Sequence, residues 1–205
     1  MIIIDDIQQN TPEWFELRKG KITGTTSVTA FTGNKKLKDF WSILADRVVV
    51  DADKIETARD RGHRLEDEAV QLAAEKLGLE LYHPVGMVIA EHNENLGYSP
   101  DRLVAPINGK FIADIEAKCF EGAAHLEAVI TEKIFDKTQM LRPFTINPDL
   151  DTRYYVFYHD RIAIPELSLH IMEIKRDDYM DEIETLMERD VAALKEIDDI
   201  LLRYF

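Results

Sequence analysis

At 205 residues, with 45% hydrophobic and 31% charged side chains, the chain has the length and composition of one folded domain with a sizeable core. Its single cysteine, Cys119, excludes an internal disulfide framework, a Cys-rich zinc knuckle and a four-cysteine iron–sulfur cluster, and points to a reducing cytoplasm. No apolar run approaches the roughly 20 residues of a membrane span, and Met1–Asn10 has neither the basic start nor the cleavage site of a signal peptide, so a soluble intracellular protein is expected.

A net charge of -14 would ordinarily argue against nucleic acid as a partner. The charge is unevenly spread, however. Residues 1–50 sum to +1, and Arg18–Lys38 holds 6 basic side chains and no acidic one. Asp177–Phe205 carries 10 acidic against 3 basic residues. A basic face near the start and an acidic helix at the end lie behind the net figure.

Thr11-Pro12-Glu13 reads as a helix start, with Thr as N-cap and Pro at the first helical position. Gly20 ends that helix; a second runs to Phe31 and a third from Leu37 to about Val50. Ile55 to Leu77 is a long helix with Leu65, Ala69, Leu72, Ala73 and Leu77 on one face and Gly78 as its stop. The period then becomes that of strands. Leu79–Ala90, Leu96–Ala105 and Phe111–Cys119 read as an antiparallel meander, with turns at 92–95 and 106–109. Ala123–Phe135 and Asp136–Arg142 read as helical, Pro143–Asp151 as a loop, Arg153–His159 and Leu167–Ile174 as strands. Asp178–Tyr204 is a closing helix whose face Ile183, Leu186, Met187, Val191, Leu194, Ile197 and Leu201 form. The expected architecture is α/β (α+β), a mixed sheet flanked by helices.

On the strand Phe111–Lys118, Asp114, Glu116 and Lys118 share one face and Ile115 and Ala117 the other. From this strand alone, a solvated edge with a surface ion pair is the better reading. The alternative is a Mg²⁺ site, in which oxygen ligands hold a hard cation and the lysine positions or deprotonates an attacking water. Ser99-Pro100-Asp101 lies 15 residues upstream across a hairpin, within reach of the same ion. Pro100-Asp101 with Glu116-Ala117-Lys118 has the form PD…(D/E)xK of a large nuclease superfamily. A second copy, Pro148-Asp149 with Glu173-Ile174-Lys175, reads as a decoy because a complete strand separates its parts.

Further segments, in order, resemble one family. Trp14-Phe15-Glu16-Leu17-Arg18-Lys19-Gly20-Lys21-Ile22-Thr23-Gly24-Thr25 resembles the N-terminal segment of the phage lambda exonuclease and its viral-recombinase relatives. Arg61-Gly62-His63-Arg64-Leu65-Glu66 is similar to the family's R-G-x-x-x-E helix, Ser99-Pro100-Asp101 to its S-P-D, and Ile115-Glu116-Ala117-Lys118-Cys119 to its L-E-x-K-C. Gln139 stands in the place of the family's glutamine helix, and Tyr154–Tyr158 in that of the strand after it. Arg102 replaces the glycine usual after S-P-D, and Ala117 a larger aliphatic residue.

The resemblance implies a restriction-endonuclease-like core in a single domain, 1–205, with a helical DNA-end-binding segment at about 11–50 and the acidic helix at about 178–204. It implies Asp101, Glu116 and the Ala117 carbonyl as ligands of two Mg²⁺ ions (Mn²⁺ as substitute), Glu66 beside them, Lys118 acting on the attacking water and Gln139 supporting it. Arg18 and Thr25 would hold a terminal 5′-phosphate, as a guanidinium and a helix N-terminus can. Lys19, Lys21, Lys35, Lys36 and Lys38 would follow the DNA backbone. Taken alone, Arg18 would be a solvated helix end, Glu66 an ordinary helix glutamate, and Gln139 would carry no meaning. The implied activity is digestion of linear double-stranded DNA, 5′ to 3′ from phosphorylated ends, leaving 3′ overhangs for recombination. The implied partners are a single-strand annealing protein and further copies of the chain, as a trimer. The rival reading is a catalytically inactive nuclease fold serving as an acidic DNA mimic or scaffold. The scattered histidines show no metal spacing, and Cys119, Trp14 and Trp41 read as core.

Overall fold

The computed structural model describes residues 58–83 and 86–204, together with Thr11, Pro12, Glu13, Glu16, Ala45 and Val49. Pro12, Glu13, Glu16 and Ala45 are helical, as expected; the rest of the predicted N-terminal helices, Trp14 and Trp41 among them, lies outside the described residues.

Helix α1 spans Ala58–Leu77. It ends where expected: Gly78 adopts φ 66°, and the Gly78 and Leu79 amides turn back to the Glu75 and Ala74 carbonyls. Strands β1 (Val88–Ala90) and β2 (Asn93–Tyr98) pair only with each other. Strands β3 (Arg102–Leu103), β4 (Ala113–Lys118), β5 (Thr152–Tyr158) and β6 (Leu169–Lys175) form a four-stranded sheet in that order. β4 and β5 run parallel, and the other two pairs are antiparallel. Between β4 and β5 lie α2 (Gly122–Thr131) and α3 (Lys137–Ile146). The short α4 (Pro165–Ser168) precedes β6, and a 3₁₀ turn at Arg176–Tyr179 leads into α5 (Met180–Tyr204).

The expected meander is therefore split. Leu79–Ala90 yields strand only at its end, with Leu81 making one isolated bridge to Val104. The turn expected at 92–95 sits at Glu91-His92, with Ala90 paired to Asn93 and the chain extended from Asn93 onward. The turn at 106–109 does form: Asn108 (φ 52°) and Gly109 (φ 79°) take the left-handed conformations of a two-residue hairpin, closed by reciprocal bonds between Ile107 and Lys110.

Alternation along β4 and β5 sorts their side chains to two faces. Ala113, Ile115, Ala117 and Cys119 join Val156 and Tyr158 under the α1 residues Leu65, Ala69, Val70 and Ala73. Cys119 is a buried core residue, as its position suggested. On the other face Tyr155 and Phe157 pack with Met140, Leu141 and Phe144 of α3, Ala128 and Val129 of α2 and Ile183 of α5. β4 is thus an interior strand buried on both faces, not a solvated edge.

Two helices depart from the pattern read in the sequence. α3 does not stop before Pro143 but runs through it to Ile146. Proline lacks the amide that would bond the Gln139 carbonyl; Arg153 of β5 supplies that bond instead, its Nη1 donating to the carbonyls of Gln139 (3.0 Å) and Met140 (3.2 Å). Among the described residues, the apolar face of α5 is fully buried only at Ile183. Ile183 is buried and Leu186 half-buried, whereas Met187 and Val191 are exposed. α5 is held to α3 by ion pairs, Lys137–Glu182 and Arg142–Asp190. No helix among the described residues is long and apolar enough to cross a membrane.

Candidate active site

The loop between β2 and β3 carries Ser99-Pro100-Asp101 to the C-terminal end of β4. There the Asp101 carboxylate accepts a hydrogen bond from the Ala117 amide at 2.7 Å. Glu116 is buried beside it. Its Oε1 accepts from Lys118 Nζ and its Oε2 from Arg153 Nη2, each at 2.5 Å. The Lys118 ammonium also lies 5.8 Å from the centre of the Tyr155 ring. Glu66, on α1, is in side-chain hydrogen-bond contact with Asp101. Asp101, Glu116, Lys118 and Glu66, predicted from three separate segments, are therefore linked pairwise as neighbours.

Electrostatics mark this point as strained. Burial, then the neighbouring Glu116, push the Asp101 carboxyl up to about 8, against the Ala117 amide, which favours its charged form. A carboxyl that resists ionising in this way is one a divalent cation would relieve. The donors Asp101, Glu116 and the Ala117 carbonyl are all hard oxygens, which suits Mg²⁺. Among the described residues no three His, Cys, Asp or Glu side chains are arranged to hold an ion unaided, so part of any coordination shell would come from the main chain, water or substrate. Replacing Asp101 by Asn keeps an acceptor for the Ala117 amide and removes the crowded charge. Asp101→Asn is therefore expected to raise the stability of the metal-free protein by roughly 1 kcal/mol while abolishing activity. Urea unfolding in the presence of a chelator checks this, and a less stable variant would contradict it.

A cleft of about 400 Å³ opens against Glu116, walled by Tyr98, Ser99, Thr138, Gln139, Arg142 and Arg153. Gln139 occupies the third position of α3, where its amide donates to Oδ1 of the N-cap Asp136 at 2.8 Å. Its side chain is exposed along the cleft wall. Arg102, in place of the family's glycine, is buried and paired with Asp67 of α1 at 2.8 Å. Arg61 of the R-G-x-x-x-E helix is buried and pairs with Glu121 at 2.7 Å, a tie between α1 and the start of α2.

The second motif copy is placed differently. Asp149 pairs with Lys110 at 2.6 Å, and Glu173 and Lys175 lie exposed on the edge strand β6, 3.7 Å apart. Arg18, Thr25, Lys19, Lys21, Lys35, Lys36 and Lys38 lie outside the described residues. Sequence reading missed Arg153, which is 1% exposed and opposite Asp114 in the parallel register. A signal was present: an arginine on the same strand face as Tyr155 and Phe157 needs an acid, and Asp114 and Glu116 were on offer.

A mixed sheet covered by helices, with two carboxylates and a lysine at its centre, places the protein in the restriction-endonuclease-like class. The YqaJ-like viral recombinase domain matches residues 13–142, and the chain belongs to that family. It is similar to the crystal structure of an alkaline exonuclease, LHK-Exo, from Laribacter hongkongensis, at 25% identity and a TM-score of 0.57, over 94% of this chain and 97% of that one. The same figures hold for LHK-Exo in complex with dAMP. A phage-related exonuclease from Haemophilus somnus 129PT is similar at 16% identity and a TM-score of 0.46, over 93% of this chain and 94% of that one. No curated protein matches.

Proposed function

We propose that this protein is a Mg²⁺-dependent exodeoxyribonuclease that degrades linear duplex DNA 5′ to 3′ from phosphorylated ends, leaving 3′ single strands for recombination. The observation that carries the reading is the convergence of Asp101, Glu116 and Lys118 beside Glu66, in a chain of the viral recombinase family. Asp101, Glu116 and the Ala117 carbonyl would hold the ions. Mg²⁺, two ions in this reading, would supply charge stabilisation at the scissile phosphate. Lys118 would hold the attacking water through Nζ, with Gln139 supporting it from the cleft wall. A trimer and an annealing protein as partner follow from the family resemblance and belong to the same proposal, as does a cytoplasmic location.

Incubation with linear and circular duplexes, each with and without Mg²⁺, tests the reading. Loss of the linear duplex alone, in Mg²⁺ alone, is expected. Cleavage of the circle would make the protein an endonuclease, and no cleavage of either would favour the DNA-mimic reading.

End recognition has its own test. If Arg18 grips the terminal phosphate, Arg18→Ala slows digestion of 5′-phosphorylated ends much more than of 5′-hydroxyl ends, bringing the two rates together. Lys36→Ala, at a backbone contact, lowers both alike and reduces the log–log salt slope of binding by about 1. An unchanged preference in Arg18→Ala would remove Arg18 from end recognition.

A further inference from the structure

Behind the candidate ligands lies a second layer of charge that the proposed chemistry does not use. Asp114 is fully buried, and its Oδ1 lies 3.4 Å from Arg153 Nε. The far end of the same guanidinium holds Glu116 Oε2. Its remaining nitrogen is fixed to the Gln139 and Met140 carbonyls of α3, the first of which is free because residue 143 is proline. One planar group thus joins β4, β5 and the helix that walls the cleft.

A buried arginine hydrogen-bonded through both terminal nitrogens, with only a charge contact from Nε to Asp114, is a costly way to fill a core, and hydrophobic side chains would do as well for stability. Its geometry does something an apolar residue could not. Lys118 can leave Glu116 Oε1 while Arg153 retains Oε2, so that a single oxygen of Glu116 is offered to the cleft in a fixed direction. A guanidinium this close to a cation site would also repel the cation, and Asp114 offsets that charge from the buried side.

We propose that Arg153 and Asp114 are positioning residues for the metal site: Arg153 orients Glu116 toward the ion, and Asp114 neutralises Arg153 so that the ion is not repelled. The inference rests on the reading of Glu116 as a metal ligand. Outer partners of this kind typically alter metal affinity by about 10- to 100-fold when replaced.

The test is calorimetric titration of Mg²⁺ into the DNA-free protein, with cleavage at saturating Mg²⁺ measured beside it. Asp114→Asn keeps the shape and deletes the neutralising charge; Arg153→Lys keeps the charge and deletes the fork. Both should weaken Mg²⁺ binding by about 10-fold or more. Excess Mg²⁺ should restore cleavage in Asp114→Asn, since the defect is in affinity and not in the chemical step. If Arg153→Lys does not fold, Pro143→Ala replaces it. That variant returns an amide to compete for the Gln139 carbonyl, loosens Arg153 without removing it, and should also bind Mg²⁺ more weakly. Variants that fold and bind Mg²⁺ as the wild type does would show that the buried charges serve the fold alone and would overturn the inference. A wild-type protein that binds no Mg²⁺ would remove the metal-site reading itself, a distinguishable failure.

Discussion

Lys118→Ala is expected to lose cleavage of linear duplex DNA by about 10²- to 10⁴-fold, the usual contribution of one group that handles the reacting proton or water. The fold should survive. Lys118 is 18% exposed in its side chain, so it is less of a surface residue than an edge-strand reading implies. Its removal leaves Glu116 still paired with Arg153, and no buried charge is orphaned. The cost should stay near that of one charge-assisted hydrogen bond, roughly 2 kcal/mol. DNA binding should persist, because phosphate contacts are expected from the basic run Arg18–Lys38. Single-turnover cleavage and a binding titration without divalent ions separate the two effects. Asp149→Ala and Glu173→Ala serve as controls. Asp149 loses only an exposed pairing with Lys110, and Glu173 an exposed contact with Lys175, so both variants should remain active. Wild-type turnover in Lys118→Ala, with dead controls, would show that the other motif copy is the site.

The grouping of Asp101, Glu116 and Lys118 was legible because the proposed chemistry would need fixed residue types at short spacings. Asp101, Glu116 and Lys118 are joined by one hairpin, and local alternation along β4 is enough to place Glu116 and Lys118 on one face. The end of α1 and the turn at Asn108-Gly109 were legible for a similar reason, since each is specified by residues in immediate sequence. What escaped reading depends on contacts made at long range. The parallel pairing of β4 with β5 brings Asp114 opposite Arg153 across almost forty positions of chain, and nothing local to either strand announces it. Pro143 is a breaker by propensity, yet α3 continues through it because the freed Gln139 carbonyl meets a guanidinium from another element. The apolar stripe on α5 signals a helix with two unlike faces. It does not say how much of that stripe the rest of the chain covers, and past Ile183 and Leu186 the described side chains are largely exposed.

Acid should weaken the fold through His125. The ring is fully buried in α2, and its Nε2–H donates to the Leu167 carbonyl at 2.7 Å. Burial pushes the imidazole down to about 4 from its usual 6.5; the bond to Leu167 opposes the shift, while His159, His170 and Arg61 reinforce it. His159, packed edge-on with ring centres 5.6 Å apart, is lowered by its own burial as well. Above pH 6.5 both folded and unfolded chains carry a neutral His125, and stability is unaffected. Between pH 6.5 and about 4 the unfolded chain takes up a proton that the folded chain refuses, and stability falls with falling pH. The loss over that window is on the order of 3 kcal/mol, enough to consume much of a typical folding free energy. Asp101 and Asp114, held up to about 8 and about 6 by burial, act with the opposite sign, since the folded chain keeps protons there that the unfolded chain releases. The raw pH profile is therefore a sum, and the informative quantity is a difference. His125→Gln retains a donor for Leu167 and cannot be protonated. Urea unfolding of both proteins across the window should show the wild type losing stability relative to His125→Gln as the pH falls, by on the order of 3 kcal/mol. Parallel profiles would mean that His125 takes its proton in the folded protein as readily as in the unfolded one, and that its burial in α2 does not resist charge.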